Sequence, residues 1–129
     1  MDDISGILWF LIYLAAGIAM LVAFTWCYIR VTPYDEAAEI KAGHVAPAIA
    51  LAGAMLGFTF PLLVASYTQS SPLGYLAWAG ISCCTQLAMF WAMHRLLPRV
   101  IEANNSAGAI CYAAASVATG LINAASFIP

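Results

Sequence analysis

The chain has 129 residues, of which 64% are hydrophobic and 8% are charged, with a formal net charge of −2. A soluble domain carries about a quarter charged residues to wet its surface, so this composition excludes an ordinary water-soluble globule. The four basic residues form no patch for nucleic acid, and we expect the lipid bilayer to be the main partner of this chain.

Four apolar stretches are long enough to cross a membrane as α-helices, which takes roughly 20 residues each. None of them contains Asp, Glu, Lys, Arg or His. The sequence therefore predicts an all-α, polytopic membrane protein with a single membrane domain over residues 1–129. The predicted spans run from about Ile7 to Ile29, Val45 to Tyr67, Leu73 to Met93, and Ala107 to Ile128.

The first stretch has an alternative interpretation as a cleaved signal peptide. Its amino-terminal residues, Met1 to Asp3, are acidic rather than basic. Its apolar run also exceeds the roughly 7–15 residues of a signal-peptide core. We therefore expect a retained transmembrane helix.

Basic residues occur in the first and third connections between spans, whereas the short middle connection, residues 66–72, has none. Because Lys and Arg in short loops favour the cytoplasmic side, both longer connections are predicted to be cytoplasmic and both termini to lie outside. The residues behind this prediction are Arg30 and Lys41 in the first connection, Arg95 and Arg99 in the third, and Asp2 and Asp3 at the amino terminus.

The two halves of the chain look alike, which predicts two helical hairpins arranged as a parallel repeat. Residues 40–49 align with residues 101–110 without a gap, and each half has an Arg-x-x-Pro sequence after its first span. Repeat one covers about residues 6–67 and repeat two about residues 73–128. Parallel repeats are related by an axis along the membrane normal. A chance likeness between alanine-rich helices is the alternative.

Both predicted cytoplasmic loops have the features of short helices. In the second loop Pro98 would open the helix, and Asn104, like Gly43 in the first, tolerates the left-handed conformation that ends one. A turn that reverses the chain explains these features, and a docking surface for a partner protein is the alternative. In the first loop the residues concerned are Thr32 as the cap, Pro33 at the first helical position, and Asp35 and Glu36 near the positive helix end.

Small residues predict that the second and fourth spans form the central helix pair, because helices in lipid associate by close backbone approach. The first and third spans, rich in leucine and aromatic residues, should face lipid more. The predicted packing residues are Gly53 and Gly57 on the second span, and Ala107, Cys111 and Ala115, followed by Thr119, on the fourth.

One proline interrupts the second span. Pro61 removes a backbone donor, frees the carbonyl group of Gly57 and should kink the helix. Thr59 lies beside it and is a candidate partner for the freed carbonyl group. The kink serves packing in one interpretation, and gating or binding in the other.

Gln86 is the most polar residue near the predicted bilayer centre, where a buried amide needs a partner. Ser116 and Thr119 should lie at a similar depth, whereas Asn123 lies too far out for a direct bond to Gln86. A polar contact between helices is one interpretation of Gln86. The lining of a polar pathway is the other.

Groups that carry chemistry are missing from the predicted spans. Proton relays and ion-coupled pumps place carboxylates, His or Arg within the membrane. The four cysteines lie in apolar runs without the spacing of metal ligands, and no nucleophile–base pair or phosphate-binding loop is evident. We therefore expect no enzyme activity, no cofactor and no metal site.

Several short motifs follow one another along nearly the whole chain: Thr32-Pro33 with acidic residues after it, Leu56-Gly57 with Pro61-Leu62, Tyr75 to Trp78, Gln86-Leu87, and Gly120 to Ala125. Their order and spacing resemble the YjfL-like proteins, a bacterial inner-membrane family grouped under a domain of unknown function. The chain departs from that pattern at His44-Val45. The resemblance implies four spans, a bacterial inner-membrane location and no established activity.

Two functions remain open at this point. Relatives in the family are often encoded near phage-shock-type membrane-remodelling proteins, which implies by association a part in envelope maintenance and envelope stress. Together with the small-residue stripes, this favours a homo-oligomeric membrane scaffold or adaptor that engages a cytoplasmic membrane-remodelling protein. The alternative is an oligomeric channel or facilitator for an ion or small solute, with Gln86, Ser116, Thr119, Asn123 and the Pro61 kink around its axis.

Overall fold

The computed structural model describes residues 3–128, and within that range the chain forms five α-helices and no strands. Four of the helices are long and apolar enough to cross a membrane, which confirms the all-α, four-span fold. The prediction for Asp2 lies outside the described residues. The helices are α1 (Asp3–Val31), α2 (Glu36–Lys41), α3 (Val45–Thr68), α4 (Pro72–Leu96) and α5 (Ser106–Ser126).

Helices α1 and α4 continue past their predicted spans and include basic residues in their last turns. The guanidinium carbon of Arg30 lies 4.9 Å from the ring centroid of Trp26, and that of Arg95 lies 5.2 Å from the ring of Trp91. Cations are favourable at the carboxyl end of a helix, and tryptophan prefers the membrane interface. These two pairs therefore mark the same end of the bundle.

Helix α3 lies at the centre of the bundle and α1 at its periphery. Half of the apolar window of α3 is buried inside the protein, compared with 6% of that of α1. Helix α4 is buried almost as much as α5, at 22% and 28%. The expectation that the first span faces lipid therefore describes α1 well, whereas α4 shares the interior with α5.

Glycines allow α3 and α5 to touch along their backbones. A Cβ atom on Gly53 would overlap the backbone of Ala113, and one on Gly57 would overlap the carbonyl group of Ser116. A Cβ on Gly120 would in turn overlap the carbonyl group of Gly57. Close approach of this kind gains dispersion energy between helices in lipid, where apolar burial alone gains little.

A column of buried aromatic rings joins the other helices to this pair, and the sequence analysis did not identify it. The rings of Phe24 and Phe58 stack with their centroids 4.5 Å apart. Phe90 then contacts Tyr28 at 5.1 Å and Tyr112 at 5.8 Å. Aromatic pairs in such arrangements contribute about 0.5–1.5 kcal/mol beyond the area they bury, so the column fixes α1 and α4 against α3 and α5.

The loop between α1 and α3, residues 32–44, contains the short helix α2, but its cap is not the predicted one. Asp35 is the N-cap, and its carboxylate accepts a hydrogen bond from the amide of Ala38 at 3.2 Å. Thr32 instead closes the end of α1 by donating to the carbonyl oxygen of Ile29. Pro33 is exposed between the two helices. The assignments of Thr32 and Pro33 were therefore wrong by one turn.

The loop between α4 and α5, residues 97–105, is a series of turns rather than the predicted short helix. Arg99 has a φ of 62°, and this left-handed conformation directly after Pro98 prevents a regular first helical turn. Gly43 and Asn104 have φ values of 86° and 52°, as expected. The Asn104 side chain also accepts a hydrogen bond from the amide of Ala46 at 3.0 Å, which joins this loop to the start of α3.

Candidate functional site

Gln86 of α4 lies in the interior of the bundle between α3 and α5, and only 2% of its surface is exposed. Its Nε2 atom donates to the backbone carbonyl oxygen of Ser116 at 3.3 Å. Its Oε1 atom is buried and has no hydrogen-bond partner. Polar contacts of this kind contribute about 0.6–2 kcal/mol to helix association in membranes. Gln86 therefore acts as a polar contact between α4 and α5.

The other polar residues of α5 are not brought to Gln86. Thr119 is half-buried, and the Nδ2 atom of Asn123 is buried without a hydrogen-bond partner. No hydrogen bond joins either side chain to Gln86 among residues 3–128. The structure thus places a single amide contact at the bundle centre. The Oε1 atom of Gln86 is an acceptor without a donor, and the Nδ2 atom of Asn123 is a donor without an acceptor.

Pro61 is buried within α3, but the residue beside it does not bond the carbonyl group that the proline frees. Thr59 is exposed and donates to the carbonyl oxygen of Met55 at 2.8 Å. A threonine on a helix reaches the carbonyl group of the preceding turn, not the one two residues back. The predicted bond from Thr59 to Gly57 is therefore wrong, and the Gly57 carbonyl group lies against Gly120 instead.

The face of α5 that packs inside the bundle is rotated from the predicted one. Ala107 and Cys111 are exposed and Ala115 is half-buried, so they do not form the face that meets α3. Small residues surround α5 on nearly all sides, and their spacing alone could not fix the rotation of the helix. The buried residues of α5 are Ala109, Tyr112, Ser116, Gly120 and Ala124.

This rotation leaves a second row of small residues on the outer surface of α5. The outer small-residue stripe consists of the exposed residues Ala107, Cys111, Ala114 and Ala118, spaced three or four positions apart. Residues at these spacings lie on one helix face. On an exposed face, small side chains present a backbone that a neighbouring helix in the membrane can approach closely.

Glu36, the first residue of α2, is buried although the sequence suggests a solvated helix end. Only 1% of the residue is exposed, and neither carboxyl oxygen has a hydrogen-bond partner. Burial raises the pKa of Glu36 from 4.5 to about 7; the nearby Thr32 hydroxyl lowers it in part, and the negative charge of Asp35 raises it further. The Thr32 hydroxyl donates to the Ile29 carbonyl oxygen, so Glu36 remains without a donor.

Tyr34 shares this environment. Its hydroxyl oxygen is buried without a hydrogen-bond partner. Burial, followed by the negative charge of Glu36, raises the pKa of the phenol above its ordinary value. A carboxyl group and a phenol are therefore both withheld from water beneath the loop between α1 and α3.

Comparisons with known proteins agree with this architecture. The family model described as "Domain of Unknown Function (DUF350)" matches residues 2–127. The chain is 32% identical to the "UPF0719 inner membrane protein YjfL" of Escherichia coli strain K12 over 128 residues, which cover 97% of both chains. The relative of the same name from Escherichia coli O157:H7 matches to the same extent. No solved structure matches the chain.

Proposed function

The chain belongs to the DUF350 family of membrane proteins, and on that premise we propose that it is an oligomeric scaffold or adaptor. Its relatives are named as inner-membrane proteins, and its four apolar helices make it a multi-pass inner-membrane protein. The proposed role is non-enzymatic and serves envelope maintenance and the response to envelope stress.

The outer small-residue stripe on α5 is the observation that carries this proposal. Inside one chain, α3 and α5 use their buried small residues to bring their backbones together. The stripe offers the same kind of surface on the outside, at Ala107, Cys111, Ala114 and Ala118. Two copies related by a two-fold axis along the membrane normal would bring the same stripe of each copy face to face.

The proposed membrane orientation, and the side on which a partner protein would bind, are based on the basic residues at one end of the bundle. Arg30 and Arg95 end α1 and α4 at the same end as both longer loops. Under the positive-inside rule, the proposed orientation has that end in the cytoplasm and both termini outside. The exposed parts of the two loops are then available to a cytoplasmic membrane-remodelling protein.

An internal duplication is part of this proposal, since the two loops close with matching backbone bonds. His44 donates to the carbonyl oxygen of Glu39 at 3.1 Å, and Asn105 donates to that of Val100 at 3.0 Å. The two donors occupy equivalent places in the alignment of residues 40–49 with residues 101–110, and the two acceptors are the residues that directly precede the aligned ranges. Two like hairpins would present two like loops to the cytoplasm.

Cysteine cross-linking tests the oligomer through a residue of the stripe itself. We expect a variant whose only cysteine is Cys111 to form mostly covalent dimers when membranes are treated with a copper–phenanthroline oxidant. The reason is that an isologous contact through the stripe places the two thiols close to the symmetry axis. Dimer yield is read on a non-reducing gel and reversed by a thiol reductant.

The matched control uses a different native cysteine, which lies on another helix. In a chain whose only cysteine is Cys84, the thiol lies on α4, and Cys84 is exposed as Cys111 is. We expect little dimer from this variant. Equal yields from the two positions, or no dimer from Cys111, would contradict the proposed contact.

A channel or facilitator is the second candidate, favoured by the unpaired polar atoms of Gln86 and Asn123 inside the bundle. In an oligomer these atoms would have to face a shared aqueous axis. Ion or solute flux through proteoliposomes that is lost in Gln86→Leu but retained in the exposed Thr85→Val variant would support it. Absence of flux from the wild-type oligomer would leave the scaffold as the better account.

A further inference from the structure

The carboxyl group of Glu36 is buried away from water, where the short helix α2 meets α1 and the end of the bundle. Residue Glu36 is 1% exposed, and neither of its oxygen atoms has a hydrogen-bond partner. The Tyr34 hydroxyl group is also buried and lies near the Tyr28 side chain. These two groups are withdrawn from water by the packing of the loop, residues 32–44, onto the helices.

Within residues 3–128, no Lys, Arg or His side chain acts on the Glu36 carboxyl group as a compensating charge. The titratable groups that face it are Tyr28 from α1 and Tyr34 and Asp35 from its own loop. On the far side of Tyr34, the nearest such groups are Glu102 of the loop between α4 and α5 and Tyr112 of α5. The one ion pair found among residues 3–128 joins His44 to Glu39 and does not include Glu36.

An ionised carboxylate in this position would have neither water nor a cation to stabilise it, and the Thr32 hydroxyl nearby offsets only part of that cost, so the group takes up a proton instead. We propose that Glu36 is a protonation switch for the loop between α1 and α3. With its carboxyl group protonated, the loop packs on the bundle. When the carboxyl group loses the proton to water, the loop detaches and exposes the carboxylate. This switch does not depend on the scaffold role.

The direction of the pH dependence follows from linkage between proton binding and docking. In the detached loop Glu36 has its ordinary pKa of 4.5, whereas burial raises it to about 7 in the docked loop. The docked state therefore binds the proton more tightly. Docking is strongest at acid pH, weakens as the pH rises through the interval between these values, and changes little above the upper one.

Hydrogen exchange of the loop in lipid nanodiscs measures this equilibrium. After correction for the intrinsic exchange rate, we expect opening of residues 32–44 to increase about tenfold per pH unit from roughly pH 5 to pH 7 and then to level off. Glu36→Gln, which resembles the protonated carboxyl group, should keep the loop protected at every pH. The amides of α3 and α5 serve as the internal reference.

Two control variants test whether Glu36, rather than another ionisable residue, is responsible for the pH dependence of loop opening. Glu102→Gln makes the same chemical change on the exposed neighbouring loop and should retain the wild-type pH dependence. His44→Gln should retain it too, which tests whether the contact between His44 and Glu39 contributes to the pH dependence. If His44→Gln abolished the dependence, the switch would belong to the His44–Glu39 pair and our proposal would be wrong.

If Glu36→Gln fails to fold, the pH dependence of hydrogen exchange in the wild-type loop decides the test on its own. Corrected protection of residues 32–44 that stays constant from pH 5 to pH 8.5 would overturn the proposal. So would a pH dependence that persists unchanged in Glu36→Gln. A transition near neutral pH that the Gln variant lacks would support it.

Discussion

The substitution Gly120→Ala will lower the thermal midpoint of the detergent-solubilised protein by roughly 10 °C, equivalent to about 3 kcal/mol. The added Cβ atom would overlap the carbonyl group of Gly57 and would lie 2.8 Å from its Cα atom. The obstruction is backbone, so no side chain can rotate away. The two central helices have to separate, and their closest contact is lost.

Gly80→Ala is the matched control, because Gly80 also lies within a helix and a Cβ atom there would meet nothing within 4 Å. Alanine is the better helix former, so this variant should be unchanged or slightly more stable. Circular dichroism melting in the same detergent compares the two. Equal midpoints for Gly120→Ala and Gly80→Ala would show that α3 and α5 do not touch at this point.

The fold was predictable because hydrophobic length is a property of the sequence alone. Four uncharged stretches, each close to the length of a bilayer crossing, appear in the structure with their ends displaced by only a few residues. The pairing of the second and fourth spans was also predictable, since Gly53 and Gly57 indicate a surface that packs against another helix rather than one that faces lipid. They pack against α5.

The rotation of α5 was not predictable from spacing. Ala107, Cys111 and Ala115 and the buried set Ala109 and Ser116 are all small, so size does not distinguish the inner face from the outer face. The buried aromatic ring of Tyr112 decides it, because its hydroxyl group donates to the carbonyl oxygen of Leu97 at 2.9 Å and directs that face inward. Such a contact depends on the path of a loop that the sequence does not specify.

The burial of Glu36 was unpredictable for a related reason. A glutamate in the first turn of a helix is normally a solvated partner for the helix dipole, and Asp35 at the cap behaves as the pattern predicts. Glu36 differs because α2 is too short to stand away from the bundle and packs against α3. Only the packed structure shows which of two adjacent carboxylates is covered.

Phe58→Ala will detach α1 from the rest of the bundle while the other helices remain together. The Phe58 side chain is fully buried and stacks on Phe24, with ring planes 16° apart. Phe24 and Tyr28 are the two buried residues of α1 within residues 3–128. Loss of the Phe58 ring therefore removes one of two anchors, at a cost of about 2–3 kcal/mol. This cost lies in the lower part of the usual range for such substitutions because α1, once detached, meets lipid rather than water.

Cys27 of α1 and Cys83 of α4 report on this detachment directly, since the two side chains are neighbours across the contact between these helices. In a chain without Cys84 and Cys111, we expect a reagent that fluoresces on bridging two thiols to label the wild-type background strongly. The Phe58→Ala variant should be labelled several-fold less.

Phe10→Ala is the matched control, because Phe10 is a phenylalanine of α1 itself and is 64% exposed. It removes an equal number of atoms from a surface that already faces lipid, so bridging should stay at the wild-type level. If Phe58→Ala and Phe10→Ala reduced bridging equally, α1 would be held by its general apolar surface. A difference between them means that the stacked rings of Phe24 and Phe58 help to position α1 beyond what its lipid-facing surface contributes, because hydrocarbon can replace the contacts of an exposed ring but not those of a buried one.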